Sequence, residues 1–191
     1  EDPIEYLHRH NRSVVTQREI GLDTDSYVNG LVASLRQAPD VILLGEMRDF
    51  DTIKTAMTAA ETGHLVISTL HTIGSANSID RIIDVFPPDG QQQIRVQLAM
   101  VLQAVISQQL VPTVTGGMVP AFEIMFLNDA IRTMVREGKI HQIDNVIATS
   151  MAEGMISMNN SLLRLMREGK ISRDTCISYS SDPEQMQMCL M

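Results

Sequence analysis

The sequence has little cysteine, few aromatic residues and no tryptophan, and each shortage argues against a class of protein. Its two cysteines, Cys176 and Cys189, form no CxxC pair, so the sequence indicates neither a structural zinc module nor a disulfide framework, and a reducing compartment fits. Aromatic residues make up 4% of the chain, which disfavours a base-stacking platform. The formal net charge of −8 disfavours a general nucleic-acid surface, because such surfaces are basic. We therefore expect no nucleic-acid partner.

Long hydrophobic runs are also missing. No apolar stretch reaches the roughly 18 residues of a membrane span, and the opening EDPIEYLHRH is acidic, unlike a signal peptide. The first residue is not methionine, so we expect the 191 residues to be part of a longer protein. What is present, 44% hydrophobic and 20% charged residues, is typical of a packed globular fold, and 191 residues suffice for one sizeable core or for one core plus a small helical part.

The first half of the chain alternates strand and helix patterns. Short turns separate predicted strands from predicted helices, and Asp49 or Asp51 can cap the helix that Gly63 ends. This alternation predicts an α/β layer with a parallel sheet and flanking helices. The predicted strands are residues 13–21, 40–47 and 64–72, and the predicted helices are residues 23–39, 49–63 and 75–88.

After residue 89 the pattern changes. Residues 91–110 read as one amphipathic helix, residues 111–127 as a hairpin around Gly116 and Gly117, and the chain from Asn128 as helical. The string Arg-Glu-Gly-Lys-Ile occurs at 136–140 and again at 167–171, where its glycine predicts a left-handed helix stop. We expect an α/β part over 1–127, an all-helical part over 128–179 and a flexible tail over 180–191.

Polar side chains follow the predicted strands. Glu46 and His71 end two of them, and Glu1 ends another if Pro3 stops its ladder. Ligands of open α/β sheets bind at this edge, where carboxylates can hold Mg²⁺ through water or accept a proton. The alternatives are structural: Glu46 as a partner of a helix N-terminus, Arg48 and Asp49 as a solvated turn, and His71 as a surface residue.

A shared metal site for His64 and His71 is excluded by distance. Seven residues of strand would separate the two imidazoles by roughly 23 Å, whereas metal–nitrogen bonds are about 2 Å long. We therefore expect no structural metal site at these histidines.

Four stretches resemble the secretion and pilus ATPases of the type II/type IV superfamily. LRQAPDVILLGEMRD (35–49) matches that family's long signature, EDPIE (1–5) resembles its acidic Asp box, and TAAETGHLVISTLHT (58–72) resembles its His box. AIRTMVREGKI (130–140) is similar to a motif of the PilT-like branch, which retracts type IV pili, and departs from it at 133–135. Assembly ATPases usually carry four cysteines near 111–118, and none occurs here.

The resemblance implies a RecA-like core and a role for each matched residue. Glu46 would be the Walker B glutamate, Glu1 the Asp-box acid and His71 the histidine that faces the γ-phosphate, with Mg²⁺ held through Glu1 and Glu46. The remaining assignments are as follows: Asp2, Arg48, Asp49 and Arg81 near the nucleotide and Mg²⁺; Ile131, Arg132, Arg136 and Glu137 in motor coupling; and His64 in a structural or interface role.

The resemblance also implies what lies outside these residues. The family binds ATP with Mg²⁺ through a G-x-x-x-x-G-K-[ST] loop, which does not occur in residues 1–191, so this chain alone is expected to be inactive. The implied protein is a cytoplasmic homohexamer at the periphery of the inner membrane. It would act on pilus platform proteins and contact the membrane only indirectly. Two alternatives remain: an assembly or secretion ATPase of the same superfamily, or a regulatory subunit without turnover.

Overall fold

The computed structural model describes residues 1–190, which form two compact units. The first unit runs from Glu1 to His71 and the second begins at Thr72. The boundary between the two units therefore lies at the end of the third predicted strand, residues 64–72. The division of the protein into functional domains stays a prediction.

The first unit is a two-stranded parallel sheet with a helix before each strand. Its elements are α1 (Tyr27–Leu35), β1 (Val41–Leu44), α2 (Phe50–Glu61) and β2 (Leu65–Ser68), with Val41 paired to Leu65 and Leu44 to Ser68. One face of β1, Ile42 and Leu44, packs on Leu31 of α1 and on Ala56 and Ala59 of α2. The parallel α/β layer predicted from the sequence is confirmed.

The capping prediction for α2 is also confirmed. Asp49 is the N-cap, and its Oδ1 accepts from the backbone N–H of Thr52 at 2.9 Å.

Both strands of the first unit, β1 and β2, are shorter than predicted. Residues 13–21 form no strand, so that prediction was wrong: the structure places only a single bridge there, between Ile20 and Thr24. Side-chain hydrogen bonds hold this segment instead, as described below.

The second unit packs helices on an antiparallel hairpin. Strands β3 (Ala104–Pro112) and β4 (Met118–Phe126) are joined at Gly116 and Gly117, whose φ angles of 88° and 87° suit glycine. The predicted hairpin turn is confirmed. The helices are α3 (Ser75–Asp84), α4 (Gln91–Val101), α5 (Asp129–Glu137), α6 (Ile143–Thr149), α7 (Met158–Arg167), α8 (Arg173–Ser178) and α9 (Pro183–Cys189), with single 3₁₀ turns at Ile140–Gln142 and Met151–Glu153.

The single helix predicted over 91–110 was wrong. Helix α4 ends at Val101, and β3 begins three residues later at Ala104. The glutamines of this stretch favour helix locally, but nine cross-strand partners in β4 are available to it, and the pairing overrides the weak local preference. Ser107 and Val111 are the buried positions of the new strand.

The C-terminal residues form a helix that packs on the core. Asp182 caps α9 through the N–H of Gln185, and Met186 is 2% exposed in a cluster with Cys176 and Leu162. The flexibility of residues 180–191 stays a prediction. Within residues 1–190, none of the helices combines the length and apolarity that crossing a bilayer requires.

Candidate functional site

Glu46, Arg48 and His71 form a hydrogen-bonded cluster at the carboxyl ends of β1 and β2. Oε2 of Glu46 accepts from Nε of Arg48 at 2.6 Å and lies 3.1 Å from Nε2 of His71. The Glu46 side chain is 13% exposed, whereas those of Arg48 and His71 are 70% and 80% exposed. The sequence prediction that the ends of these two strands bring Glu46 and His71 together agrees with this geometry.

The backbone explains why these side chains meet. Parallel pairing continues beyond the strands, with the N–H of Met47 donating to the carbonyl of Thr69 at 3.1 Å. The hydroxyl of Thr69 donates to the carbonyl of Gly45 at 2.6 Å, which ties the two strand ends together one residue before Glu46. The segments that follow β1 and β2 therefore leave the sheet side by side. Glu46 and His71 lie one and two residues after the tied pair, Gly45 and Thr69.

Glu1 lies beside the same strand end. A side-chain carbon at Gly45 would lie 3.6 Å from Cα of Glu1 and 3.2 Å from the hydroxyl of Tyr27, so glycine at this position allows both to approach. No strand is assigned to residues 1–19, and the proximity of Glu1 does not come from a third strand end. Its carbonyl instead accepts from the N–H of Ile20 at 2.9 Å.

The electrostatics agree with a cluster of carboxylates around Tyr27. Burial raises the pKa of the Tyr27 hydroxyl, and the charges of Glu46, Asp2 and Glu1 raise it further, while Arg48 acts in the opposite direction. Partial burial alone would raise the pKa of Glu46, but the hydrogen bonds from Arg48 and His71 outweigh it, and the net pKa is lowered. Glu46 is therefore an ionised carboxylate at neutral pH and a weak base in this arrangement.

The other residues predicted near the nucleotide have different surroundings. Asp49 uses both carboxylate oxygens on Thr52, which lowers its pKa and makes it a helix cap. His64 immediately precedes β2, and its Nδ1 lies 3.0 Å from the carbonyl of Ala59; its structural or interface role stays a prediction. Arg81 is an exposed residue of α3 in the second unit, and its role stays a prediction.

The residues predicted to couple motor movement belong to α5 and its C-terminal end. Ile131 is fully buried, as its helical spacing predicts. Arg132 contacts the neighbouring helix: its Nη1 donates to the carbonyl of Ala99 at 2.6 Å, at the end of α4. Arg136 is exposed and donates to the hydroxyl of Thr133, and Glu137 forms an ion pair with Lys139 at 2.7 Å.

Sequence reasoning did not identify Tyr27 or Gln17 as part of the site. Tyr27 begins α1 and reads as an ordinary core position of that helix. Gln17 donates from Nε2 to Oε1 of Glu1 at 2.9 Å, across 16 residues of chain. Neither contact has a short sequence signature, because both depend on how residues 1–26 fold against the strand end.

The donor set fits a nucleotide-bound magnesium ion better than a metal held by protein alone. Within residues 1–190, no three His, Cys, Asp or Glu side chains are grouped to hold a metal ion by themselves. Mg²⁺ needs less: one or two carboxylates combined with water and substrate phosphates. Glu46 directly follows Gly45, and the backbone of Glu1 lies close to Gly45, so two residues with hard carboxylate oxygens start from this strand end.

Comparison with known proteins gives consistent matches over nearly the whole chain. Residues 1–145 match the family described as "Type II/IV secretion system protein". The chain is 48% identical over 187 residues to a "Twitching motility protein" of Neisseria gonorrhoeae, covering 97% of this chain and 50% of that protein. It is 45% identical over 184 residues to the "Type IV pilus retractation ATPase PilT" of Pseudomonas aeruginosa, covering 96% and 54%.

A solved structure supports the fold. The crystal structure of "the Pilus Retraction Motor PilT and Bound ADP" superimposes with a TM-score of 0.88 at 45% identity, covering 98% of this chain and 53% of that one. The chain thus spans about half the length of the curated relatives it matches.

Proposed function

Because the chain belongs to the type II/IV secretion system protein family, we propose that it forms the C-terminal part of an ATPase that retracts type IV pili. The reaction would be hydrolysis of ATP to ADP and phosphate, coupled to movement of subunits in a homohexamer. The observation that carries the proposal is the Glu46–His71 contact beside Glu1, at the sheet edge where open α/β folds bind ligands.

Each residue of the cluster has a distinct task in this proposal. Glu46 orients the attacking water through its ionised carboxylate, and Arg48 holds that carboxylate in one rotamer by the 2.6 Å contact. His71, largely exposed, reaches the terminal phosphate. Glu1 and Glu46 would hold the Mg²⁺ that accompanies ATP, which supplies neutralisation of the phosphate charge. Phosphoryl transfer depends mainly on positioning and charge, and these residues suit both.

Retraction is favoured over assembly or secretion by two observations. The relatives named for twitching and pilus retraction are 48% and 45% identical over almost the full length of this chain, whereas a relative named for type II secretion that matches 95% of it is 28% identical. The β3–β4 hairpin, where assembly ATPases usually carry four cysteines, has none. We propose a location at the cytoplasmic periphery of the inner membrane, with the pilus platform proteins as partners of the helical region after Asn128.

The test is the Glu46→Gln change in the full-length protein. It keeps the size of the side chain and removes its charge, so nucleotide binding should stay within about threefold of wild type while kcat falls roughly a hundred- to ten-thousand-fold. Glu61→Gln, an exposed change on α2, is the matched control and should leave both quantities unchanged. A kcat for Glu46→Gln within about threefold of wild type would show that Glu46 is structural.

A further inference from the structure

The side chain of Gln17 connects the carboxylate of Glu1 to the backbone of the following loop. Nε2 donates to Oε1 of Glu1 at 2.9 Å and to the carbonyl of Tyr6 at 2.8 Å, and Oε1 accepts from the N–H of His8 at 2.8 Å. All three contacts are long-range, spanning 9 to 16 residues. We propose that Gln17 is a positioning residue, which holds Glu1 in the orientation that the nucleotide-bound divalent cation requires.

The amide orientation of Gln17 is determined by its partners. Both hydrogens of Nε2 face acceptors, and Oε1 faces a donor, so a flipped amide would direct oxygen at the Glu1 carboxylate and at the Tyr6 carbonyl. The orientation that satisfies the backbone of the loop is thus the one that presents a donor to Glu1. A single orientation of the Gln17 amide therefore makes the hydrogen bonds to the loop and the hydrogen bond to Glu1.

The neighbours of Gln17 fix its own position. The backbone nitrogen of Glu1 donates to the carbonyl of Arg18 at 3.0 Å, and the N–H of Ile20 donates to the carbonyl of Glu1 at 2.9 Å. Oε2 of Glu19 accepts from the N–H of Ile4 at 3.0 Å. Backbone and side-chain bonds on both sides of Gln17 therefore align residues 17–20 with residues 1–4, in a segment where no strand does so.

A donor in this place has a chemical consequence for Glu1. A neutral amide that donates to one carboxylate oxygen selects a rotamer while leaving the charge and the other oxygen available for a cation. Removing a residue that hydrogen-bonds to a metal ligand typically lowers metal affinity or activity by roughly 10- to 100-fold. The inference rests on the proposed function, because it assigns the held carboxylate to the nucleotide-bound cation.

The experiment is a double-mutant cycle on the full-length protein with ADP, in which Mn²⁺ binding is followed by electron paramagnetic resonance. Gln17→Met keeps the length of the side chain and removes both donors, and it should raise the Kd for Mn²⁺ about tenfold or more. Glu1→Gln should raise the Kd at least as much. The double variant should bind no more weakly than Glu1→Gln alone, because Gln17 acts through Glu1.

The matched control is Gln93→Met, an exposed glutamine of α4, whose Kd for Mn²⁺ should equal that of wild type. If the effects of Gln17→Met and Glu1→Gln add in the cycle, or if Gln17→Met alone leaves the Kd unchanged, Gln17 only closes the loop and the inference is overturned. Mn²⁺ binding that depends on Gln17 in a protein without ATP turnover would support the inference and refute the proposed hydrolysis, so the two failures are distinguishable.

A second variant keeps the test valid if Gln17→Met lowers the melting temperature. Gln17→Glu retains the acceptor for His8 and replaces the donor with a second carboxylate facing Glu1. At neutral pH the loss of the donor and the repulsion between the two carboxylates should turn Glu1 away from its orientation and raise the Kd for Mn²⁺. A Kd equal to that of wild type or lower would refute the inference.

Discussion

Replacing Arg132 by alanine should loosen the C-terminal end of α4. Nη1 of Arg132 donates to the carbonyl of Ala99 at 2.6 Å and to that of Met100 at 3.3 Å, two of the carbonyls that lack partners at a helix end. The first bond is short and partly buried, and the second is long and exposed. A cationic donor at a helix C-terminus also interacts favourably with the helix dipole.

The magnitude follows from these two bonds. A hydrogen bond to a charged group contributes about 1.5–3 kcal/mol when shielded from water, so we assign about 1.5 kcal/mol to the first bond and about 0.5 kcal/mol to the second. The sum, about 2 kcal/mol, corresponds to a roughly 30-fold change in a local opening equilibrium. Replacement by lysine should recover part of this, because lysine retains the charge but lacks the planar fork.

The assay is amide hydrogen exchange of the full-length protein, read in peptides that cover Gln91–Val101. Exchange that proceeds by local opening should become roughly 30-fold faster in Arg132→Ala. Arg136→Ala is the matched control, because the exposed side chain of Arg136 hydrogen-bonds only to Thr133 among the described contacts. The bond from Gln92 of α4 goes to the backbone carbonyl of Arg136, which the variant retains, so α4 should stay unchanged. An acceleration of less than about threefold in Arg132→Ala would refute the reasoning.

Two further changes test the first and the second unit. Asp49→Ala should destabilise α2 by about 1 kcal/mol through loss of its N-cap, seen as faster hydrogen exchange in Phe50–Glu61. The pKa of Asp49 is lowered in the folded protein, so its stabilising contribution is fully present above the pKa of the unfolded state and disappears as the pH falls through the folded pKa. If wild type and Asp49→Ala still differed as much in strong acid, this reasoning would be contradicted. Met186→Ala should lower the free energy of unfolding by about 2–5 kcal/mol and make residues 182–190 sensitive to proteolysis. Met188→Ala is the control and should have neither effect, because Met188 is 67% exposed in the wild type. Equal proteolysis of the two variants would count against a packed α9.

The strand–helix alternation of residues 40–84 was predictable because local and tertiary preferences agree there. Ile42 and Leu44 form the buried face of β1, and Asp49 is both a good N-cap and an observed one. Residues 104–110 were not predictable in this way. Helix propensities differ by roughly a few tenths of a kcal/mol per residue, and pairing with a nine-residue strand outweighs that preference.

The candidate site shows the same division. Glu46 and His71 could be placed together from the strand order alone, since parallel strands end at one edge. The position of Glu1 could not be derived in the same way, because Gln17 and Ile20 hold it through contacts that no periodicity predicts. The contact of Arg132 with α4 could not be predicted either, because helical spacing does not show which neighbouring helix a long side chain will reach.

The repeated string Arg-Glu-Gly-Lys-Ile adopts one geometry in two places. At its first copy Gly138 has φ 73°, Lys139 pairs with Glu137 at 2.7 Å, and Ile140 is 3% exposed. At its second copy Gly169 has φ 70°, Lys170 pairs with Glu168 at 2.8 Å, and Ile171 is 2% exposed.

The lysine N–H closes the helix end in the same manner in both copies, onto the carbonyl five residues before it. Their surroundings differ, since one copy follows α5 and leads into a 3₁₀ turn while the other follows α7 and leads into α8. This five-residue sequence therefore acts as a C-capping motif that is independent of its surroundings. It could be placed at the end of another amphipathic helix, provided that an apolar pocket is available for the isoleucine.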